Sequence, residues 1–454
     1  MSATDVLVSF VRQLDPSSLR EPTLHRTCWI MLDLVGVAVA GAHTEMARAA
    51  TRFAYDQYQP GPATVIGSGS PLCVLGATWT NGIAASALDL DEGHRLAMGH
   101  PAAAVVPACL AVAESVGATG PELLAAVVAG YEVAVRSSIA RVPTYKDRQY
   151  SSGIWGVLGS AAAAGKLLGL DEEGLQSALG NAASHGPFPP AGPAANYSMA
   201  KEVIGWAGMT GCAAALLAQQ GFMGPRDVMD YSGRWDTELL VRDLGDPDSY
   251  AVLGGYFKLY AVCRWAHAPI DAILTLVQRE DLRPDEIHRV VVETFYEGTR
   301  LLDYAPETVI AAQFSIPFAV ALAIRYHEVG LSEVSEANLR DPDLLSLARQ
   351  VEVVVDPELD RLYPEETAAR VTLHTRRGSF RATVHYPLGS PENPLSEDQL
   401  EGKFRSLTAD ALGEATSRQL QEAILALPRA ESVTTLTRLL RFRSVDEEGR
   451  RVRY

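Results

Sequence analysis

The segment GSAAAAGKLLGL, residues 159–170, predicts a buried α-helix and sets the expected fold class. Alanine loses no side-chain entropy on entering a helix, so alanine-rich runs favour this structure. A second run, GCAAALLAQQG at residues 211–221, has the same character. Residues 170–184 (LDEEGLQSALGNAAS) add a helix start that Asp171 can cap. Residues 1 to about 265 are therefore expected to be almost entirely helical.

The composition of the chain changes after residue 280. IHRVVVETFY (287–296) and RQVEVVVD (349–356) are rich in β-branched residues, which favours strands. In RVTLHTRRGSFRATVHY (370–386), apolar and polar residues alternate on both sides of Arg-Arg-Gly-Ser, which is typical of a β-hairpin. Helical periodicity returns near residue 396. Residues 223–253 are polar and turn-rich, and we expect at most one short helix there.

These patterns predict a mainly α protein with two domains. A large all-helical domain would comprise residues 1–274, with a smaller inserted α+β domain at residues 275–395. Residues 396–454 would form C-terminal helices that return to the helical domain. A length of 454 residues agrees with two hydrophobic cores.

Charge and cysteine content exclude several classes of protein. The net charge of −16 argues against nonspecific binding to nucleic acid or to an acidic membrane. An anionic substrate would therefore need a locally basic pocket. The N-terminus resembles an amphipathic helix, and the most apolar segments fall short of the roughly 18–20 residues of a membrane span. The five cysteines are scattered, odd in number and form no C-x-x-C pair, which argues against a disulfide framework and a structural zinc and favours a reducing, cytoplasmic location. They are Cys28, Cys73, Cys109, Cys212 and Cys263.

ALDLDEGHRLAMGHPA, residues 87–102, concentrates ionisable groups beside an apolar segment. Its charged and imidazole side chains are those of Asp89, Asp91, Glu92, His94, Arg95 and His100. We expect a helix to end near Asp91, a glycine-hinged loop to follow, and a new helix to begin at Pro101. The segment is either a charged surface turn or a site. A metal site is disfavoured because the segment contains no H-E-x-x-H motif and no cysteine.

Three further clusters of polar residues also precede or begin helices. YFKLYAVCRWAHAPIDA, residues 256–272, contains Lys258, Cys263, Arg264 and His267. Lysine and arginine donate to carboxylates, and cysteine or histidine beside cations can exchange protons. The alternative is a helix start with a core cysteine and solvated cations. Lys201 precedes one small-residue helix, and Tyr150 and Ser152 precede another. Such clusters would line a pocket between closely packed helices.

Six segments, in the same order along the chain, resemble the MmgE/PrpD family, which includes 2-methylcitrate dehydratase, cis-aconitate decarboxylase and iminodisuccinate epimerase. They are ALDLDEGH…GHPAAAVVPACLAVAE, GSAAAAGKLLGLD, AKEVIGWAGMTGCAAALLAQQGFMGP, FKLYAVCRWAHAPIDA, AAQFSIPFAVALA and YPLGSPENPLS. They extend from about residue 80 to residue 405. The resemblance implies a helical domain with an α+β lid, a homodimer, and no metal or organic cofactor. It also implies substrates that are small di- or tricarboxylic acids.

The resemblance further implies a set of site residues. The expected catalytic residues are Asp89, His100, Lys201, Cys263 and Tyr150, and the expected substrate-binding residues are Lys258, Arg264, His94, Arg95, Ser152 and His267. The chain departs from the family pattern where Gly93 replaces a threonine and Tyr150 replaces a histidine. An unperturbed phenol is a poorer base than imidazole, so Tyr150 would accept a proton less readily than the family's histidine. The residues of the motifs are more similar to those of the epimerase-like branch of the family.

The expected function is therefore cofactor-independent proton abstraction next to a carboxylate, with epimerisation or isomerisation as the outcome. Each group that transfers a proton would contribute ~10²- to 10⁴-fold to the rate. One alternative is a hydro-lyase that acts on a hydroxy di- or tricarboxylate. The other is a non-catalytic protein that binds an acid or serves as a scaffold.

Overall fold

The computed structural model describes residues 1–143, 151–189, 198–231 and 233–442. It is mainly α-helical, as the alanine-rich segments predict. The helices that precede residue 265 are α1 (Ala3–Gln13), α2 (Glu21–Gly41), α3 (Glu45–Gln57), α4 (Val74–Ser86), α5 (Pro101–Val116), α6 (Gly120–Ile139), α7 (Gly153–Leu167), α8 (Glu172–His185), α9 (Ile204–Gln219), α10 (Val228–Tyr231) and α11 (Thr237–Val241).

Short strand pairs and a larger sheet accompany these helices. The short pairs are β1 (Ala63–Thr64) with β2 (Pro71–Leu72), and β3 (Gly93–His94) with β4 (Gly255–Tyr256). The larger sheet contains β5 (Ile287–Thr294), β6 (Val351–Val355), β7 (Ala369–Thr375) and β8 (Gly378–Val384). The helices after residue 265 are α12 (His267–Glu280), α13 (Val309–Gln313), α14 (Ile316–Tyr326), α15 (Glu336–Leu339), α16 (Pro342–Ala348), α17 (Pro357–Asp360), α18 (Glu397–Leu412), α19 (Glu414–Leu425) and α20 (Thr434–Leu439).

Local sequence signals explain where several helices begin. The Asp171 side chain accepts a hydrogen bond from the Gly174 amide at 2.8 Å, so the predicted cap of α8 is confirmed. Helix α5 begins at Pro101, as predicted, because proline lacks the N–H that the first turn leaves unpaired. Two expectations were wrong. Helix α4 ends at Ser86 rather than near Asp91, and residues 223–253 contain two short helices, α10 and α11.

Helix α7 lies at the centre of the helical body, in contact with α5, α6, α8 and α9. Almost all of its residues are buried, which explains why the sequence is apolar around the whole helix. Its close contact with α6 depends on glycine. A Cβ atom at Gly159 would lie 2.4 Å from the carbonyl oxygen of Gly130.

Helix α2 is long and apolar enough, by length and composition, to cross a membrane. The helix has 21 residues, so the expectation that no apolar segment reaches the length of a membrane span was wrong. However, 78% of its most apolar 18-residue stretch is buried inside the protein. Helices α4, α18 and α19 pack against it. Burial against other helices therefore explains the apolar sequence of α2.

The larger sheet has the strand order β6-β5-β7-β8, and the predicted hairpin of β7 and β8 is confirmed. Strand β5 pairs parallel with β6 and antiparallel with β7. Alternate residues of β7 are buried, because one face of the sheet packs against α12. Residues of this face, of α12 and of α14 form one apolar cluster. Helices α18 to α20 share a second apolar cluster with α2 and α6. The boundaries proposed for the domains stay predictions.

We predict that Gly159→Ala destabilises the protein by about 1–3 kcal/mol, because the added methyl group must displace the α6 backbone or α7 itself. Gly402→Ala is the matched control within α18. Apart from the adjacent residues and the backbone of α18 itself, no atom lies within 4 Å of a Cβ at Gly402, so the replacement should stabilise the helix by up to about 1 kcal/mol. Denaturant unfolding of both variants measures the difference. Equal stability of Gly159→Ala and the wild type would contradict this packing.

Candidate active site

Strained backbone residues cluster where the segment that follows α4 meets the segment that precedes α9. Seven non-glycine residues in the described part of the chain have left-handed backbone, and four of them lie here. They are Asp89, Met98, Lys201 and Val203, with φ between 43° and 54°. Such conformations cost free energy and persist only where the surrounding structure imposes them, as it often does at functional sites.

The Asp89 carboxylate lies between two lysine ammonium groups. Lys258 Nζ is 2.8 Å from Asp89 Oδ2, and Lys201 Nζ is 3.4 Å from Asp89 Oδ1. Lys201 also donates to the carbonyl of Ser86 at 2.6 Å. All three charged side chains are buried, and Lys258 is fully so. The structure thus brings together three of the residues that the sequence predicts for the site.

The electrostatics of this cluster favour an anion. Burial alone raises the pKa of Asp89, but the charges of Lys258 and Lys201 lower it below its ordinary value. The formal charges of these three side chains sum to +1. A buried net positive charge is costly unless a further anion neutralises it. The cluster therefore meets the requirement for a locally basic pocket in an acidic protein.

His100 lies at the N-terminus of α5 and forms an ion pair with Asp91. His100 Nδ1 is 3.0 Å from Asp91 Oδ2 and 2.9 Å from the carbonyl oxygen of Glu92. Burial opposes the imidazolium, but the Asp91 carboxylate prevails and raises the pKa of His100 to about 10. His100 Nε2 has no hydrogen-bond partner among the described residues. The ring is thus held through Nδ1, and Nε2 can donate a proton.

Ser152 and Glu202 hold the backbone around His100. Ser152 Oγ accepts the His100 amide at 3.0 Å, and the Ser152 amide donates to Glu202 Oε2 at 2.9 Å. The Ser152 hydroxyl also donates to Glu202 Oε2. A Cβ at Gly99 would lie 2.1 Å from Ser152 Oγ, so this contact requires glycine. Ser152 therefore contacts the His100 backbone.

A second buried acid lies beside this group. The Tyr131 hydroxyl donates to Glu92 Oε1, while Glu92 Oε2 has no partner among the described residues. Burial raises the pKa of Glu92 to about 8. The sequence placed Glu92 among the ionisable groups but indicated no role for it, because nothing in the sequence pairs it with Tyr131.

Lys403 of α18 supports the same loop from the other side. Its ammonium group lies 2.5 Å from Asp33 Oδ1 of α2 and donates to the carbonyl of Leu90 at 2.8 Å. Both side chains of the pair are buried. Leu90 directly follows Asp89, so Lys403 fixes the backbone that places Asp89. Lys403 was not among the residues predicted from the sequence.

Cys263 lies close enough to the lysine cluster for the charges of Asp89 and Lys258 to act on it. Burial raises the pKa of its thiol to about 12. Its amide donates to the carbonyl of Gln313 at 2.7 Å, and Gln313 Nε2 donates to the carbonyl of Ala87 at 3.1 Å. Gln313 Oε1 is buried without a partner among the described residues. Gln313 is a further candidate that was not predicted from the sequence.

Arg264 and His267 bind protein groups in this structure. Arg264 donates to Ser390 Oγ at 2.6 Å and to the carbonyls of Pro387 and Leu388 at 3.0 Å. His267 is fully buried and contacts Arg264 at 3.2 Å. Burial lowers the pKa of both side chains, to about 10 for Arg264. Their roles in substrate binding stay predictions.

The other predicted residues differ in their surroundings. Arg95 pairs with Glu392 at 2.6 Å. His94 Nδ1 accepts the Ala97 amide at 3.3 Å, and burial lowers the pKa of His94 to about 4. Tyr150 lies outside the described residues. The structure therefore brings Asp89, Lys201 and Lys258 together, while the roles of all the predicted site residues and the placement of Tyr150 stay predictions.

Comparison with known proteins assigns the family. The model of the MmgE/PrpD N-terminal domain matches residues 5–237, and that of the C-terminal domain matches residues 260–429. The chain belongs to the MmgE/PrpD family. Cis-aconitate decarboxylase from Aspergillus terreus (strain NIH 2624 / FGSC A1156) is 27% identical over 96% of this chain and 95% of its own length. Proteins of that name from Mus musculus and Homo sapiens are each 26% identical, over 99% and 97% of this chain and 95% of their own lengths.

We predict that Lys403→Met destabilises the protein by about 3–5 kcal/mol, because it leaves the Asp33 carboxylate buried without its partner. Arg405→Met is the matched control on α18. Arg405 pairs with Glu401 at 3.4 Å on the surface, so its loss should cost less than about 1 kcal/mol. Denaturant unfolding compares the two variants, and the Asp33→Leu, Lys403→Met double variant should regain part of the loss. Equal effects of the two single changes would contradict this assignment.

Proposed function

We propose that the chain is a cofactor-independent lyase that acts on a small di- or tricarboxylic acid at the Asp89–Lys201–Lys258 cluster. The observation that carries this proposal is the buried carboxylate held by two lysines, with its formal charge of +1. A substrate carboxylate would neutralise that charge and accept hydrogen bonds from the ammonium groups. The named activity of the relatives, decarboxylation of cis-aconitate, supports the same class of substrate.

The protonation states of the site favour a reaction that needs an acid more than a base. The lowered pKa of Asp89 makes this carboxylate a weak base. His100 and Cys263 have raised pKa values, so both carry protons at neutral pH. Loss of CO₂ from a β,γ-unsaturated acid generates a carbanion and needs only a proton donor afterwards. These states therefore support decarboxylation as the leading reaction.

In this reaction, the bond between carbon and the departing carboxylate breaks and CO₂ leaves. The electron pair passes into the adjacent unsaturated system, which the remaining carboxylate stabilises. Lys201 and Lys258 would stabilise that developing negative charge, and electrostatic stabilisation of this kind accounts for much of the rate enhancement in many enzymes. His100 Nε2 would then donate its proton to carbon, and Asp91 would stabilise the imidazolium before the transfer.

Epimerisation, which the sequence motifs favour, is the second candidate. It needs a base on one face of the carbon and an acid on the other, and the departures at Gly93 and Tyr150 motivate it. A hydro-lyase would combine proton abstraction with loss of hydroxide. A non-catalytic acid-binding protein would keep the lysine cluster but have no use for a polarised His100.

We predict that Lys201→Ala lowers turnover by at least about 10²-fold without unfolding the protein, because one cation for the developing charge is lost. Proton NMR in D₂O would follow cis-aconitate, citrate, methylcitrate, malate and N-substituted aspartates. New vinyl signals from cis-aconitate indicate decarboxylation, exchange at an α-carbon indicates epimerisation, and vinyl signals from a hydroxy acid indicate a hydro-lyase.

Lys166→Met is the control for this experiment. The Lys166 ammonium group donates to the carbonyl of Val11 at 2.8 Å, away from the cluster. Full activity of a folded Lys201→Ala protein would remove Lys201 from the site. An inactive wild-type protein with the whole panel would contradict the enzymatic proposal.

We also propose that the protein is a homodimer, as the family resemblance implies. Helix α9 supports this proposal because its outer face carries an apolar row at helical spacing, with Trp206 and Leu217 more than 40% exposed. Trp206 and Phe53 each contact Trp79, which widens the apolar patch. Light scattering should give a molar mass in solution of about twice the 48.8 kDa of one chain. The Trp206→Glu variant should give a lower molar mass, closer to that of one chain. A monomeric wild type would contradict this proposal.

A cytoplasmic location is proposed on separate grounds. All five cysteines are unpaired, which suits a reducing compartment. Cell fractionation tests this location, and recovery from an oxidising compartment would contradict it.

A further inference from the structure

The hydroxyl of Tyr256 occupies the space beside Gly93 that a side chain would otherwise fill. Gly93 and Tyr256 are directly paired between β3 and β4. A Cβ at Gly93 would lie 2.4 Å from the hydroxyl oxygen of Tyr256 and 2.5 Å from its Cζ. Any other residue at position 93 would therefore push the phenol away. The absence of a side chain at Gly93 gives the Tyr256 hydroxyl its position.

This phenol is buried but lacks an internal hydrogen-bond partner. Tyr256 as a residue is 5% exposed. Its hydroxyl makes no hydrogen bond to any residue in the described ranges, and the hydroxyl oxygen is not fully enclosed. Tyrosine hydroxyls in buried residues usually have a protein partner, so this hydroxyl is available to a ligand or to water. The guanidinium of Arg264 covers the ring, 4.4 Å from its centroid. The ring is thus held in place while the hydroxyl remains available.

The surroundings of the hydroxyl belong to the proposed active site. The charges of Glu92 and Asp89 both act on Tyr256, and so do Arg264 and Cys263. A Cβ at Gly93 would also lie 3.0 Å from the carbonyl of Gly99, the residue before His100. The Tyr256 hydroxyl therefore lies close to the backbone that directly precedes His100. Burial raises the pKa of the phenol well above its ordinary value, so the group remains a hydrogen-bond donor at working pH.

We propose that the Tyr256 hydroxyl donates a hydrogen bond to a second carboxylate of the substrate, while Lys201 and Lys258 hold the first. The inference rests on the proposed function and adds the residue that selects di- and tricarboxylic acids over monocarboxylic acids. Only a ligand with a second carboxylate can accept this hydrogen bond, so the donor strengthens the binding of di- and tricarboxylic acids and leaves that of monocarboxylic acids unchanged. Gly93 is the feature of the sequence that admits this donor.

Isothermal titration calorimetry with Tyr256→Phe tests this proposal, because only the hydroxyl is removed. The probes are cis-aconitate and succinate as polycarboxylates, and butyrate as a monocarboxylate. The expected result is binding of cis-aconitate and succinate weakened about tenfold or more, in the range for a hydrogen bond to a charged group. Butyrate binding and the melting temperature should not change.

Tyr260→Phe is the matched control. The Tyr260 hydroxyl donates to Asp271 Oδ1 at 2.5 Å, so this phenol has an internal partner. Its removal should lower the melting temperature and leave the ratio of succinate to butyrate binding unchanged. Unchanged binding of all three acids to Tyr256→Phe, with a wild type that binds cis-aconitate or succinate, would overturn the inference alone. A wild type that binds none of them would overturn the proposed function and this inference together.

Discussion

The ion cluster of Asp89, Lys201 and Lys258 is the interaction on which the rest of the site depends. Moving charged groups out of water is expensive, and a buried pair survives only with good geometry and further hydrogen bonds. The protein supplies these from separate segments: the one that follows α4, the one that precedes α9 and the one that follows β4. Lys403 adds a cation from α18 that fixes the intervening backbone. Three of the five lysines in the chain are thus buried in one region.

This concentration of lysines would allow an acidic protein to accept the anionic substrate that we propose. The net charge of −16 repels anions over the surface as a whole, whereas the cluster carries a local excess of positive charge. His100 is held through Nδ1 by Asp91 and adds a proton donor to that environment. In the function that we propose, the same region would bind a carboxylate and protonate a carbon next to it.

The sequence predicted the parts of the fold and site that depend on local patterns. The capped start of α8, the hairpin of β7 and β8, and the lysines before and after small-residue helices all carry local signals. Lys403 carried a signal as well. Leu400, Phe404 and Leu407 share its spacing on the buried face of α18, so periodicity alone places this lysine inside.

Other features could not be predicted because they depend on contacts between distant segments. Tyr256 is paired with Gly93 by the register of β3 and β4, which no local pattern determines. The chain cannot continue as a helix to Asp91 because Asp89, three residues after the end of α4, adopts a left-handed backbone with φ of 50°, which a non-glycine residue rarely does. The most direct measurement is a crystal structure with bound cis-aconitate or succinate. We predict a carboxylate within hydrogen-bond distance of both Lys201 Nζ and Lys258 Nζ. A carboxylate bound elsewhere, with the Asp89 ion pairs intact and no contact to either lysine, would contradict it.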